Sequence, residues 1–176
     1  LAHDPIIQLP ALIVARQQTA GRGRNGKNWW SAEGALTFSL LIEPSAMGMG
    51  MADWPRLSLT TAVAVCDVLR PESHPSKLGI KWPNDVYLVD RKVCGILLES
   101  PGGGEPTKDR LVIGIGINVN NSCKNAPDGI CPLGTALCDS SGRQHDLQEL
   151  LVRLLGAIAN RIPSLVGHDS ELVRTW

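Results

Sequence analysis

Along residues 36–42 the chain alternates, with Leu36, Phe38, Leu40 and Ile42 in one phase and Thr37 and Ser39 in the other. A period of two marks a strand that buries one face. Residues 9–15 form a short apolar run after a proline-bearing approach, which predicts a buried strand delivering the chain into the stretch that follows. Two further strands are predicted at 77–82 and 86–89. They flank Pro83-Asn84-Asp85, a turn trio in which proline fixes φ and the Asn and Asp side chains bond back to local backbone. Asp90-Arg91 turns the chain again into a strand at 93–99, and the loose connection Pro101-Gly102-Gly103-Gly104-Glu105-Pro106 leads to another at 111–119.

Helical patterns stand apart from these strands. Residues 57–69 are apolar almost all round and too many for a typical strand, which predicts a buried helix capped by Asp53 with Pro55 in its first turn. Asp146 and Glu149 read as a capping box, and Leu147, Leu150, Leu151, Leu154 and Ile158 recur at helical spacing until Pro163, predicting an amphipathic helix that ends there. Ser170 is placed to cap a last helix that has barely begun at Trp176. Residues 120–143 turn to Asn, Ser, Cys, Pro, Gly and Asp, a long irregular passage of the kind that more often serves function than filling. Strands in runs with helices set apart give an α+β class: a mixed, largely antiparallel sheet flanked by helices, in one domain spanning residues 1–176.

Composition narrows the functional classes. At 176 residues and 43% hydrophobic, the chain suffices for one core and is short for two. Lys plus Arg total 17, as do Asp plus Glu, so no basic field exists to hold a long polyanion, and one Phe and one Tyr leave little for base stacking. Nucleic acid is therefore excluded as the main partner. No apolar run approaches the roughly 20 residues of a membrane helix, and no charged leader opens the chain, so the expectation is a cytoplasmic protein without a membrane partner. Cys66, Cys94, Cys123, Cys131 and Cys138 are odd in number and lack a Cys-x-x-Cys pair, which argues for reduced thiols and against a disulfide framework or a zinc site. His3, His74, His145 and His168 show no partner pattern, and no metal site is expected.

The chemistry begins at residues 18–30, Gln-Thr-Ala-Gly-Arg-Gly-Arg-Asn-Gly-Lys-Asn-Trp-Trp. Glycines at 21, 23 and 26 let backbone amides approach a ligand, while Arg22, Arg24 and Lys27 offer charge-assisted bonds to phosphate or carboxylate. Alone, such a loop serves equally as a solvated connection or a nucleic-acid contact. Trp29 and Trp30 beside it suit a purine ring, whereas packing against the core or a wall is the ordinary lot of Trp30 and Trp82.

Three later stretches complete the set: Lys81-Trp82-Pro83-Asn84-Asp85, then Lys92-Val93-Cys94-Gly95-Ile96-Leu97-Leu98-Glu99, then Gly114-Ile115-Gly116-Ile117-Asn118-Val119-Asn120. This ordered combination resembles the catalytic domain of the biotin protein ligases, in the biotin/lipoate protein ligase superfamily. Members carry a Gly-Arg-Gly-Arg-x-Gly loop, a Lys-Trp-Pro-Asn-Asp turn, a Lys-x-x-Gly-Ile-Leu strand and a Gly-Ile-Asn strand. Gly134-Thr135-Ala136-Leu137 is similar to the family's loop-to-helix junction.

The resemblance implies a fold related to the class II aminoacyl-tRNA synthetase core. It implies an ATP-dependent ligase that activates biotin as biotinyl-5'-AMP and passes it to a lysine of a biotin carboxyl carrier protein, with magnesium accompanying ATP. Two anions must meet in that reaction, and the implied roles answer this need. Arg24 and Lys92 are the catalytic cations at the carboxylate and α-phosphate. Asp85 is a third catalytic group, positioning the acceptor amine or the magnesium ion, or else shaping its turn. Gln18, Gly21, Arg22, Gly23, Arg24, Lys92, Gly95 and Leu97 are implied to bind biotin, Gln18 through a neutral amide suited to the ureido ring. Arg24, Trp29, Asn84, Lys92 and Asn118 are implied to bind the nucleotide, Trp29 packing on adenine and Asn118 reading its edge.

The family's Ser-Thr pair, expected before the Gly/Arg loop, has no match between Leu1 and Arg16, and neither its small β-barrel nor a winged helix is found, so no repressor role is expected of residues 1–176. Lipoate or octanoate attachment is the nearest rival, though Gly95-Ile96-Leu97-Leu98-Glu99 favours biotin over that group's Lys-x-x-Gly-x-Ala strand. A silent biotin or nucleotide sensor is the rival from another class, and it would need neither Arg24 nor Lys92. A homodimer is compatible with the sequence.

Overall fold

Strand pairing organises the molecule, in which the computed structural model describes residues 2–73, 78–102, 109–130 and 132–166. In chain order the strands are β1 (Ala11–Ala15), β2 (Leu36–Ile42), β3 (Leu78–Lys81), β4 (Asp85–Leu88), β5 (Arg91–Glu99) and β6 (Leu111–Ile117). They form one sheet in the order β1-β2-β6-β5-β4-β3, and each of these pairings is antiparallel. The parallel element is a bridge between Lys92 and Gly134. The expected mixed sheet is thus antiparallel through its named strands, because sequence neighbours close as hairpins and β6 inserts between β2 and β5.

Three helices are described: α1 (Trp54–Leu69), α2 (Leu137–Ser141) and α3 (Leu147–Val166). Helix α1 packs on β3, β4 and β5 with one side and on α3 with the other. That sandwiching explains why its sequence is apolar all round. Its buried Thr60 and Thr61 satisfy their hydroxyls by donating to the carbonyls of Arg56 and Leu57, at 2.9 and 2.8 Å. The core row Phe38, Ile115 and Ile96, opposite one another on β2, β6 and β5, lies on the helix side.

Several expectations need correction. Asp53 does not cap α1 with its side chain. It already has helical φ and ψ, and its carboxylate accepts from the Gly50 amide at 3.0 Å, closing the preceding turn. Helix α3 runs past Pro163, since Leu165 beyond it is fully buried and repays the bond that proline forfeits. Asp146 caps its start, Oδ1 accepting from the amides of Gln148 and Glu149 at 2.8 and 3.1 Å, which is the Asp146 half of the predicted capping box. Strand β1 is not buried: Leu12, Ile13 and Val14 are 42, 40 and 51% exposed, because it is the sheet edge farthest from α1.

The passage at 120–143 contains α2 and a turn at Cys123–Asn125, held by Asp139, which accepts from the Ser122 hydroxyl at 2.6 Å and the Cys123 amide at 3.0 Å. His145 has partners that its sequence context did not disclose. Its Nε2 lies 2.7 Å from the Ser141 hydroxyl and its Nδ1 3.3 Å from Glu72, which also pairs with Arg143 and Arg153. Cys66, Cys94 and Cys138 are free thiols, and burial pushes Cys66 up to about 11. The helix expected from Ser170, together with His74, Lys77, residues 103–106, Cys131 and His168, lies outside the described residues.

Candidate active site

Residues 18–31 fold into a narrow loop of their own. The Gln18 amide donates to the Ser31 carbonyl at 3.2 Å, Trp29 to Gly21 at 2.9 Å, and Gly23 to Lys27 at 2.7 Å. The tip turns at Arg24–Gly26, with positive φ at Asn25 (56°) and Gly26 (71°). Gly21 is required by close approach, since a Cβ there would stand 2.5 Å from the Trp29 carbonyl oxygen and 2.8 Å from Gln18 Oε1.

This loop overhangs the sheet face opposite the helices, and register fixes what lies beneath. Thr37, Gly116, Gly95 and Asp85 form one row across β2, β6, β5 and β4. Ser39, Gly114 and Leu97 form the next, and Val112 with Glu99 the third. Glycine at the centre of two rows removes side chains from the middle of the sheet, leaving a cavity of about 480 Å³ between floor and loop. That volume is in the range of small-ligand sites.

Cations converge on this hollow. Lys92 Nζ lies 2.7 Å from Asp85 Oδ1 and 5.6 Å from the centroid of the Trp29 ring. The Asp85 oxygen is buried and has no aligned hydrogen-bond donor, so the contact is a charge pairing with the ammonium. Backbone bonds at 3.0 Å from the Lys92 amide to Leu133 and from the Thr135 amide to Lys92 fix the start of β5. Arg22 reaches Glu99 at 3.0 Å, and Arg24 donates to Asn84 Oδ1 at 3.1 Å, so each arginine of the loop is tied to the sheet side. The Trp29 indole lies flat on the glycine pair: a Cβ on Gly116 would fall 2.5 Å from its Cε2 and Nε1, and one on Gly95 3.3 Å from its Cζ3. Its Nε1 is buried without a partner among the described residues.

Of the residues singled out from sequence, Gln18, Arg22, Gly23, Arg24, Trp29, Asn84, Asp85, Lys92, Gly95 and Leu97 line this one cavity, and Gly21 sits in the stem of its loop, paired with Trp29. Asn118 does not line it. Its Nδ2 donates to the Thr135 carbonyl at 3.2 Å and its Oδ1 accepts from Asn121 at 2.9 Å, which leaves the amide engaged within the protein. Trp82, expected against core or wall, is 70% exposed and belongs to the cavity wall. Sequence reading missed Thr37, Ser39, Gly114, Gly116 and Glu99 as lining. The polar phase of β2 and the second glycine of Gly114-Ile115-Gly116 were the available signals. Among the described residues no group of three or more His, Cys, Asp or Glu is placed to hold a metal ion.

A cationic loop over a glycine floor thus occupies the open face of an antiparallel sheet backed by helices. The chain belongs to the biotin/lipoate A/B protein ligase family, whose model matches residues 5–118. It is 34% identical over 158 residues to the bifunctional ligase/repressor BirA of Bacillus subtilis, covering 89% of this chain and 47% of the relative. Against the biotin--[acetyl-CoA-carboxylase] ligase of Mycobacterium tuberculosis the identity is 33% over 167 residues, covering 94 and 59%. The biotin protein ligase of Aquifex aeolicus in complex with biotin and ATP superposes with a TM-score of 0.75 at 35% identity, over 89% of this chain and 62% of that one. The chain therefore spans about half the length of the curated relatives it matches.

Proposed function

We propose that the domain activates biotin with ATP and transfers the biotinyl group to a lysine of a carboxyl carrier protein. The observation that carries this reading is the convergence of Arg24 and Lys92 on one glycine-floored cavity, in a chain similar to ligases named for biotin and to a structure holding biotin and ATP. Attack of a carboxylate on an α-phosphate brings two anions together, and cations placed beside the reacting groups offset that repulsion as charge develops. Gln18 and the polar rows Thr37 and Ser39 supply neutral partners for a ureido ring, while Leu97 and the Trp29 face supply apolar wall.

Magnesium accompanies ATP as part of the substrate. Asp85 offers one buried carboxylate oxygen without an aligned donor, fit to add a single protein ligand beside the phosphates and too little to hold a resident ion by itself. In the second step Asp85 instead stands ready to receive the acceptor amine, which must shed a proton to attack the mixed anhydride. Asn118, engaged as it is, serves the nucleotide only if its amide is released on binding. Free buried thiols support a cytoplasmic setting for this activity, and a homodimer is compatible with it.

The test is pyrophosphate release from ATP, dependent on biotin, with lipoate and octanoate in parallel and then with a carrier protein as acceptor. Release with biotin alone is the expected result. Release with lipoate or octanoate instead would move the chain to the other branch of its family, and binding of biotin without any turnover would make it a sensor.

A further inference from the structure

Asn84 holds a position that neither binding nor turn formation explains. Its backbone carbonyl accepts from the Ile96 amide at 3.0 Å, and its side-chain Nδ2 donates back to the Ile96 carbonyl, so one asparagine occupies both main-chain groups of a β5 residue. The side-chain amide thereby has a fixed orientation, with Nδ2 toward β5 and Oδ1 toward the loop. That Oδ1 accepts from Arg24 Nη1 at 3.1 Å, across 60 residues of sequence. Among the described residues Asn84 is the hydrogen-bond partner of the Arg24 guanidinium, which otherwise sits on an exposed loop tip.

We propose that Asn84 is a positioning residue that acts through Arg24, aiming the guanidinium over the cavity before substrate arrives. The inference rests on the catalytic reading of Arg24. Its chemistry is specific to a neutral amide, which presents a donor to one neighbour and an acceptor to the other. A single bond to Oδ1 occupies one of five guanidinium N–H groups and leaves the rest for an anion. A carboxylate at this place would do two wrong things: set an anionic oxygen against the Ile96 carbonyl, and hold Arg24 in an ion pair that competes with the substrate's own charge. Protonated, the same carboxyl again offers one donor and one acceptor.

The experiment is a double-mutant cycle of Asn84→Ala and Arg24→Ala on the full-length protein, read as pyrophosphate release and as affinity for ATP, with melting curves on each variant. The expected result is a loss of roughly tenfold in kcat/KM for Asn84→Ala in the parent and less than twofold once Arg24 is already alanine. Asn84→Asp supplies a second, independent readout. Its activity relative to the parent should rise as pH falls through the carboxylate range, where the carboxyl regains a donor. Full additivity in the cycle, with Arg24→Ala itself strongly impaired, would mean that Asn84 touches substrate directly and would overturn the proposal. A flat ratio with pH for Asn84→Asp would count equally against it. If Arg24→Ala alone changes nothing, the catalytic reading of Arg24 falls and the coupling falls with it.

Discussion

Lys92 and Asp85 face each other at 2.7 Å on adjacent strands, the ammonium held between the carboxylate and the Trp29 ring. The pair is half-buried, at 31 and 23% side-chain exposure, so Lys92 is parked where it can turn from Asp85 to an incoming anion. A cation that meets charge only as it develops contributes to the transition state more than to the ground state. Lys92→Ala should therefore lower kcat for adenylate formation by about 10²- to 10³-fold, on the order of 3–4 kcal/mol. Affinity for ATP should change far less, and equal losses in rate and affinity would show uniform binding instead.

Gly116 lies directly under the Trp29 indole, and a methyl there meets the ring at 2.5 Å. Gly116→Ala should displace Trp29 rather than unfold the sheet, because the opposite face of β6 keeps Ile115 and Ile117 in the core. A raised KM for biotin and ATP with a nearly unchanged melting temperature is the expected outcome. Crystallography of the variant would show whether the ring has moved, and an unmoved ring would refute the explanation.

Arg110 is a buried cation that gathers backbone oxygens from the start of the chain. Its two terminal nitrogens donate to the carbonyls of Ala2, Asp4, Pro5 and Ile7 at 3.2, 2.5, 3.4 and 3.4 Å. Arg110→Ala leaves those carbonyls without the guanidinium and should cost on the order of 2 kcal/mol, the worth of a charge-assisted bond or two. Limited proteolysis should then cleave residues 2–7 early, while far-UV circular dichroism stays near that of the parent. Unchanged protease resistance would deny Arg110 this role.

The cluster of Glu72, His145, Arg143 and Arg153 makes stability depend on pH. The hydrogen bond from Arg153 holds the Glu72 carboxyl below its ordinary range, with burial opposing it and the nearby charges of Arg153, Arg143 and His145 adding to it. Burial lowers the His145 imidazole, Arg143 assists, and Glu72 works in the other direction. Both groups bind protons more readily in the unfolded chain, so stability rises with pH through each titration. The His145 share is complete above its unfolded value of 6.5 and is lost as pH falls through the lower folded value. The Glu72 share is complete above 4.5 and is lost further into acid. Thermal melts from pH 7.5 to 4 should show this decline, His145→Gln should flatten its upper part, and a parent melting temperature constant over the range would contradict it.

Much of the fold was legible because local pattern and tertiary demand agree. The alternation at 36–42 needed no help to become β2, and the all-round apolarity of 57–69 correctly signalled a helix with neighbours on two sides. Pattern failed where partners decide. The apolar run of β1 reads as buried, yet an edge strand has its exposure set by what packs on the sheet. Pro163 reads as a stop, yet Leu165 finds a core place beyond it. The site behaved likewise: three of the four motifs brought ten residues to one cavity, whereas Asn118 of the fourth looked available and is engaged by Asn121 and Thr135, contacts that only the folded passage at 120–143 creates.

The Gly114-Ile115-Gly116-Ile117 run of β6 has a consequence for folding as well as for the hollow it helps to form. Isoleucines on one face and glycines on the other make the strand two-sided in the most extreme way available, cargo below and vacancy above. A slip of one residue against β2 or β5 would reverse the faces, driving isoleucine into the recess beneath Trp29 and leaving holes in the core. Such a slip loses core and recess together, so the residues that keep the site empty also act as a proofreading device for the assembly of the sheet.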